Sequence, residues 1–147
     1  MGLDMYLDKR KYIWTNDRDK LKISGVDGVK SKKVKYITEE VMYWRKANAI
    51  HKWFVDNVQE GNDDCKEYYV TIEDLEKLLG VIETILKSKA RCVIAEELLP
   101  NESGFFFGST EYDEYYFEDL KETVKGLKTI IKDNTNSGWE FYYNSSW

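Results

Sequence analysis

The chain has 147 residues, 42% of them hydrophobic and 33% charged, with 22 basic against 27 acidic side chains and a formal charge of −5. This is the balance of a globular protein with a core, and it excludes a disordered tail. No apolar run reaches the ~18 residues of a membrane span, and the two cysteines, Cys65 and Cys92, are too few for a disulfide framework.

The start, Met-Gly-Leu-Asp-Met-Tyr, lacks the apolar stretch of a signal peptide, and Tyr6 stands where a myristoylation motif needs Ser or Thr. A reduced, intracellular protein is therefore expected. Residues 3–7 alternate and predict a strand. Residues 20–26 and 29–37 flank Asp27-Gly28, a dipeptide suited to a type I′ turn, and predict a hairpin whose second strand runs to about Val41. The basic residues gather here, so 15–35 reads as a basic hairpin insertion within a single domain spanning 1–147.

Tyr43, Ala47, Ile50, Phe54 and Val58 fall at helical spacing and predict a first main helix over about 43–60, ended by Gly61 in the left-handed conformation. Thr71-Ile-Glu-Asp74 is a variant capping box, and Leu75, Leu78, Ile82 and Ile85 make the apolar face of a second main helix. A further helical stretch, 90–99, stops at Pro100. Gly104-Phe-Phe-Phe-Gly108 reads as a short strand or turn. A third main helix runs over about 111–133, with Ser109 or Thr110 as its N-cap, and Trp139–Tyr143 reads as a final strand. Strands, then helices, then a strand predict an α+β fold: a small, mainly antiparallel sheet with about three main helices on one face.

One helical edge carries the most chemistry. Trp44, Asn48, His51 and Val55 are spaced four, three and four and would share a face, joining an indole, an amide and the only imidazole in the chain. Arg45, beside them, would neutralise an anion. The plainer alternative is an amphipathic helix whose Asn and His tie down neighbouring backbone groups. Asp63-Asp64 beside Cys65 invites an acid–base or metal reading, but the motif lacks ligand spacing that selects a metal, and a solvated turn explains it as well. Cys65 with His51, oriented by Asn48 or an Asp, is a conceivable nucleophile pair.

Residues 104–117 place seven rings in fourteen positions. Gly108-Ser109-Thr110 leads into a helix start, where free amides favour an anion, although Glu111, Asp113 and Glu114 oppose one. No Gly-Lys-Ser/Thr element of a P-loop is present, so the cofactor, if any, stays open. The acidic balance makes nucleic acid an improbable partner.

Met1-Gly-Leu-Asp-Met-Tyr-Leu7, Tyr43-Trp-Arg-Lys-Ala-Asn-Ala-Ile-His-Lys-Trp-Phe54, Asp63-Asp-Cys65 and Gly104-Phe-Phe-Phe-Gly-Ser-Thr-Glu-Tyr-Asp-Glu114 together resemble a group of small uncharacterised proteins of bacteriophages and bacterial prophages. The resemblance implies a phage or prophage genome and action in the bacterial host cytoplasm. It brings no activity and no catalytic residues.

These readings combine into a binding protein that holds a small polar or nucleotide-like ligand between the first main helix and the 104–114 segment. Its candidate residues are Trp44, Arg45, Asn48, His51, Asp63, Asp64, Ser109, Thr110, Glu111 and Tyr112. One use for a phage protein would be to counter host defence. Two alternatives stand beside it. One is a small hydrolase or transferase using His51 with Asp63, Asp64 or Glu111. The other is an inhibitor whose acidic 111–119 face meets a basic host protein. Tyr142, Tyr143 and Trp147 are available for a homodimer seam.

Overall fold

A computed structural model describes residues 2–147. The architecture is α+β. Four strands, β1 (Asp4–Tyr12), β2 (Tyr36–Arg45), β3 (Tyr68–Val70) and β4 (Glu140–Ser146), form one antiparallel sheet in the order β2-β1-β4-β3. Five helices accompany it: α1 (Thr15–Arg18), α2 (Asn48–Asn57), α3 (Ile72–Lys87), α4 (Arg91–Leu98) and α5 (Glu114–Asn134).

The alternation seen in the sequence fixes which side of the sheet is covered. Leu3, Met5 and Leu7 are fully buried, while Asp4, Tyr6 and Asp8 between them lie on the other face. β4 repeats this with Phe141 and Tyr143 inward, and the Tyr143 ring stacks on Phe54 of α2 at 4.0 Å. Above this layer α3 supplies Leu75, Leu78, Ile82 and Ile85, and α5 supplies Leu120, Leu127 and Ile130. Each such side chain stabilises the fold by roughly 1.5–3 kcal/mol when taken out of water.

Local signals hold where they are self-contained. Thr71 Oγ1 accepts the Asp74 amide and Asp74 Oδ2 accepts the Thr71 amide, both at 3.0 Å, so the capping box closes and α3 starts where expected. Gly61 has φ +81° just beyond α2, and α4 ends at Leu98, ahead of Pro100.

Other expectations are corrected. There is no hairpin about Asp27-Gly28; the hairpin strands are β1 and β2, and residues 13–35 are the connection between them, holding α1 and a 3-10 turn at Ser31–Lys33. The first main helix starts at Asn48, not at 43, because Tyr43-Trp44-Arg45 continues β2. Trp44 lies opposite Met5 on the covered face, and cross-strand burial outweighs the weak helical preference of two adjacent rings. Lys46, with φ +57°, then turns the chain out of the sheet and into α2. The N-cap of α5 is Asp113, whose Oδ1 accepts the Tyr116 amide at 3.0 Å, and not Ser109 or Thr110. Residues 105–107 form a turn. The three-residue β3 carries too little pattern to be anticipated.

Candidate functional site

Between the start of α2, the 101–111 loop and the first turns of α5 lies a cleft of about 280 Å³. Its floor is Ala47, Ala49, Ile50 and Leu120. One wall is cationic. Arg45 and Lys46 line it, and so does the start of α2, a ten-residue helix without a side-chain cap. The Asn48 amide binds Lys46 O and the His51 amide binds Ala47 O. The Ala49 and Ile50 amides have no acceptor among the described residues, and such groups face outward from a helix start with partial positive charge. Arg45 sits 3.2 Å from Asp4, with half of its side chain still exposed.

The opposite wall is acidic, formed by Glu111, Asp113 and Asp119 beside Tyr115 and Tyr116. Asp113 is committed to capping α5. Asp119 is not committed: its main-chain carbonyl accepts Thr123 Oγ1, but its carboxylate has no hydrogen-bond partner among the described residues. Burial, reinforced by the Asp113 charge, pushes this carboxyl up to about 6. The Tyr116 phenol, buried and donating to Leu99 O at 2.7 Å, is also raised, by burial first and by Tyr112 second.

The loop that closes the cleft is held by one side chain. Asn48 Nδ2 donates to Phe107 O at 3.0 Å and to Ser109 O at 2.8 Å, while its Oδ1 accepts the Glu102 amide at 2.9 Å. All of its usual bonding capacity except one lone pair is thereby spent on main chain. Asn48 is a clamp that shapes the cleft, as the plainer sequence reading allowed, and it has no N–H left for a ligand. Gly108, at φ +86°, lies against Lys46 so closely that a Cβ would sit 3.2 Å from the Lys46 Cβ.

No known protein family matches the chain, and no curated protein or solved structure shows significant similarity to it.

The sequence candidates therefore separate into groups. Arg45, Asn48, Ser109 and Glu111 line the cleft. Ser109 also turns its hydroxyl back to accept the Glu111 amide. Tyr112 and Thr110 do not line the cleft: the Tyr112 hydroxyl accepts the Asn101 amide, and Thr110 is exposed. Trp44 belongs to the core, with Nε1 donating to Thr123 Oγ1 at 2.8 Å, so it has no free face to stack on a ligand.

His51 is fully buried and does not line this cleft. Its Nδ1 lies 2.7 Å from the Tyr143 hydroxyl and its Nε2 3.0 Å from Asp63 Oδ2. The Asp63 approach is off the ring N–H direction, so it is a close contact and not an aligned hydrogen bond. Asp63 Oδ1 in turn accepts Trp147 Nε1 at 3.1 Å, and the Phe107 ring meets both His51 and Trp147 edge-on. This seals the imidazole from substrate. Asp64 turns away to Tyr68 and Lys66, so the two neighbouring acids do not converge. Cys65 is exposed at φ +58° while His51 is buried, which separates the environments of that pair. Among the described residues no cluster of three or more His, Cys, Asp or Glu side chains is suited to a metal ion.

Sequence reasoning placed Asp119 on an acidic outer face. Its position six residues after the Asp113 cap and one before the buried Leu120 was the available signal that it borders the core. With Asp113 capping and Asp119 in the cleft, the 111–119 segment offers a partner less free acid than its composition suggests. Tyr143 is fully buried and cannot contribute to a dimer seam. Among the described residues no helix is long and apolar enough to cross a membrane.

Proposed function

We propose that this is a phage- or prophage-encoded binding protein of the bacterial cytoplasm, and that its ligand is a small polar or nucleotide-like molecule held in the cleft. The observation that carries the reading is the cleft's polarity. Arg45, Lys46 and the two free amides of α2 stand on one side, and the unpartnered Asp119 carboxylate stands on the other. A ligand that fits has an anionic group for the first wall and an amino or hydroxyl donor for the second. A polyphosphate is disfavoured, because Glu111 and Asp113 lie within the same small space. The volume, about 280 Å³, is just below the range for small-molecule sites, roughly 300–1,000 Å³, which favours a single metabolite-sized group. Withholding such a molecule from a host defence pathway is a use drawn by analogy from the phage resemblance.

The test is to incubate the pure protein with bacterial extract, wash, denature it, and identify released molecules by mass spectrometry. Wild type is expected to retain a small polar anion that Asp119→Asn and the cleft-filling Ser109→Trp both lose. Retention of nothing, or equal retention by all three proteins, overturns the proposal.

A second reading, a small hydrolase or transferase, draws its support from Asp119 and not from His51. A carboxyl titrating near 6 inside a cleft is suited to proton transfer near neutral pH. Turnover of the retained molecule by wild type, but not by Asp119→Asn, would select it.

A further inference from the structure

The face of the sheet turned away from the helices is open and has its own chemistry. Six tyrosines, Tyr6, Tyr12, Tyr36, Tyr43, Tyr69 and Tyr142, stand on it in neighbouring pairs across the strands, with ring centroids 5.3–5.8 Å apart. Tyr36, Tyr43 and Tyr69 are 57%, 46% and 55% exposed, so no element of the fold covers them. An aromatic surface of this extent is unusual for a face that meets only water.

The charges among these rings are unbalanced. Five carboxylates, Asp4, Asp8, Glu40, Glu67 and Glu140, share the face or its margin with three guanidiniums, and each guanidinium is already engaged: Arg18, over the Tyr12 ring, donates to the Tyr12 hydroxyl and the Ile13 carbonyl. Arg45 pairs with Asp4, and Arg10 makes a two-pronged contact with Glu67 at 2.9 and 2.8 Å. Asp8 and Glu40 lie directly opposite one another in the β1–β2 register. Like charges in that position destabilise a sheet, and neither has an ion-pair partner among the described residues. Burial, then Glu40 and Glu67, hold the Asp8 carboxyl above its ordinary range. The face also displays the contact that would relieve this excess: the Arg10 guanidinium lies 4.3 Å from the centroid of the Tyr142 ring, beside Asp8.

We propose that this open sheet face docks a basic protein segment, with a partner arginine entering between Asp8 and Glu40 and stacking on the flanking tyrosines. Charge complementarity selects that occupant. A nucleic-acid backbone would meet the excess of carboxylate, and a second copy would set one Asp8–Glu40 pair against another. Arg45 borders both surfaces, but the Asp8–Glu40 site shares no lining residue with the cleft, so the proposal stands or falls independently of the small-ligand reading.

The experiment uses the full chain and a defined probe, a twelve-residue Arg-Gly repeat peptide, titrated by calorimetry with backbone and carboxyl NMR. Saturable binding is expected at 50 mM salt, weakened by about tenfold or more at 300 mM. Shifts should map to β1, β2 and β4 and include the Asp8 carboxyl. Asp8→Asn/Glu40→Gln should weaken binding by about tenfold or more, with an unchanged circular dichroism spectrum. Glu118→Gln/Glu122→Gln, which removes equal charge from α5, should leave it unchanged. Absence of binding, equal loss in both double variants, or shifts confined to the helices overturns the proposal. So does tighter binding of a single-stranded oligonucleotide, or a dimer in sedimentation that the peptide does not dissociate.

Discussion

Asn48→Ala tests whether one amide shapes the cleft. The substitution removes three hydrogen bonds to main chain. The Phe107 carbonyl is buried and would stay unpaired, a cost of roughly 1–3 kcal/mol. The Ser109 carbonyl and the Glu102 amide are part-buried and can regain water, so each costs about 0.5–1 kcal/mol. The total is about 3 kcal/mol, a large share of the roughly 5–15 kcal/mol that holds a domain together, yet short of unfolding it. For a chain of this size it corresponds to a melting point lower by about 6–12 °C. Urea unfolding should show a lower midpoint with an unchanged slope. Hydrogen exchange should show faster exchange at Glu102 and at Leu3, whose amide binds Phe106 O in the same loop. Asn48→Asp should lose at least as much at neutral pH, because it sets a carboxylate against two carbonyls. A loss below about 1 kcal/mol, with protection of Glu102 and Leu3 intact, would refute the clamp.

The Asp119 carboxyl is raised in the folded state to about 6 from an ordinary 3.8. The folded protein thus keeps a proton that the unfolded chain has released, and stability falls as pH rises from about 4 through about 6. Asp119→Asn should flatten that slope and be the more stable protein at pH 8 in denaturant titrations at stepped pH; an unaltered slope would contradict the assignment. Thr123→Val preserves shape but strands the buried Trp44 N–H, and should cost about 1–3 kcal/mol by urea unfolding. Tyr143→Phe leaves the His51 Nδ1 without its partner and should cost a similar amount, with little effect on cleft binding since neither ring lines the cleft. Gly108→Ala should weaken ligand retention and lower stability by about 1–2 kcal/mol, because its φ of +86° disfavours a Cβ and Lys46 occupies the space.

The amino-acid order alone determined the elements whose signal is local. Leu3, Met5 and Leu7 alternate, Thr71 and Asp74 close a capping box, Leu75 through Ile85 repeat at helical spacing, and Pro100 follows the end of α4. In each, the deciding contacts lie within a few positions, so the pattern is readable without knowing the rest. Polar and aromatic residues concentrate in α2 and in the 101–111 loop, and that much was readable from the sequence. Tertiary structure alone decided the rest. Tyr43-Trp44-Arg45 satisfies a helical and an extended reading equally, and only pairing with β1, some forty positions earlier in the chain (Asp4 opposite Arg45), chose the strand. Asn48 and His51 are partnered 59 and 92 positions away, which made one a loop clamp and sealed the other. Asp119 acquired its character from the space around it and not from its neighbours in sequence. Spacing encodes which side of an element is apolar; it does not encode which distant surface arrives to cover it, and that arrival decides whether a polar side chain is spent on the fold or left free for a ligand.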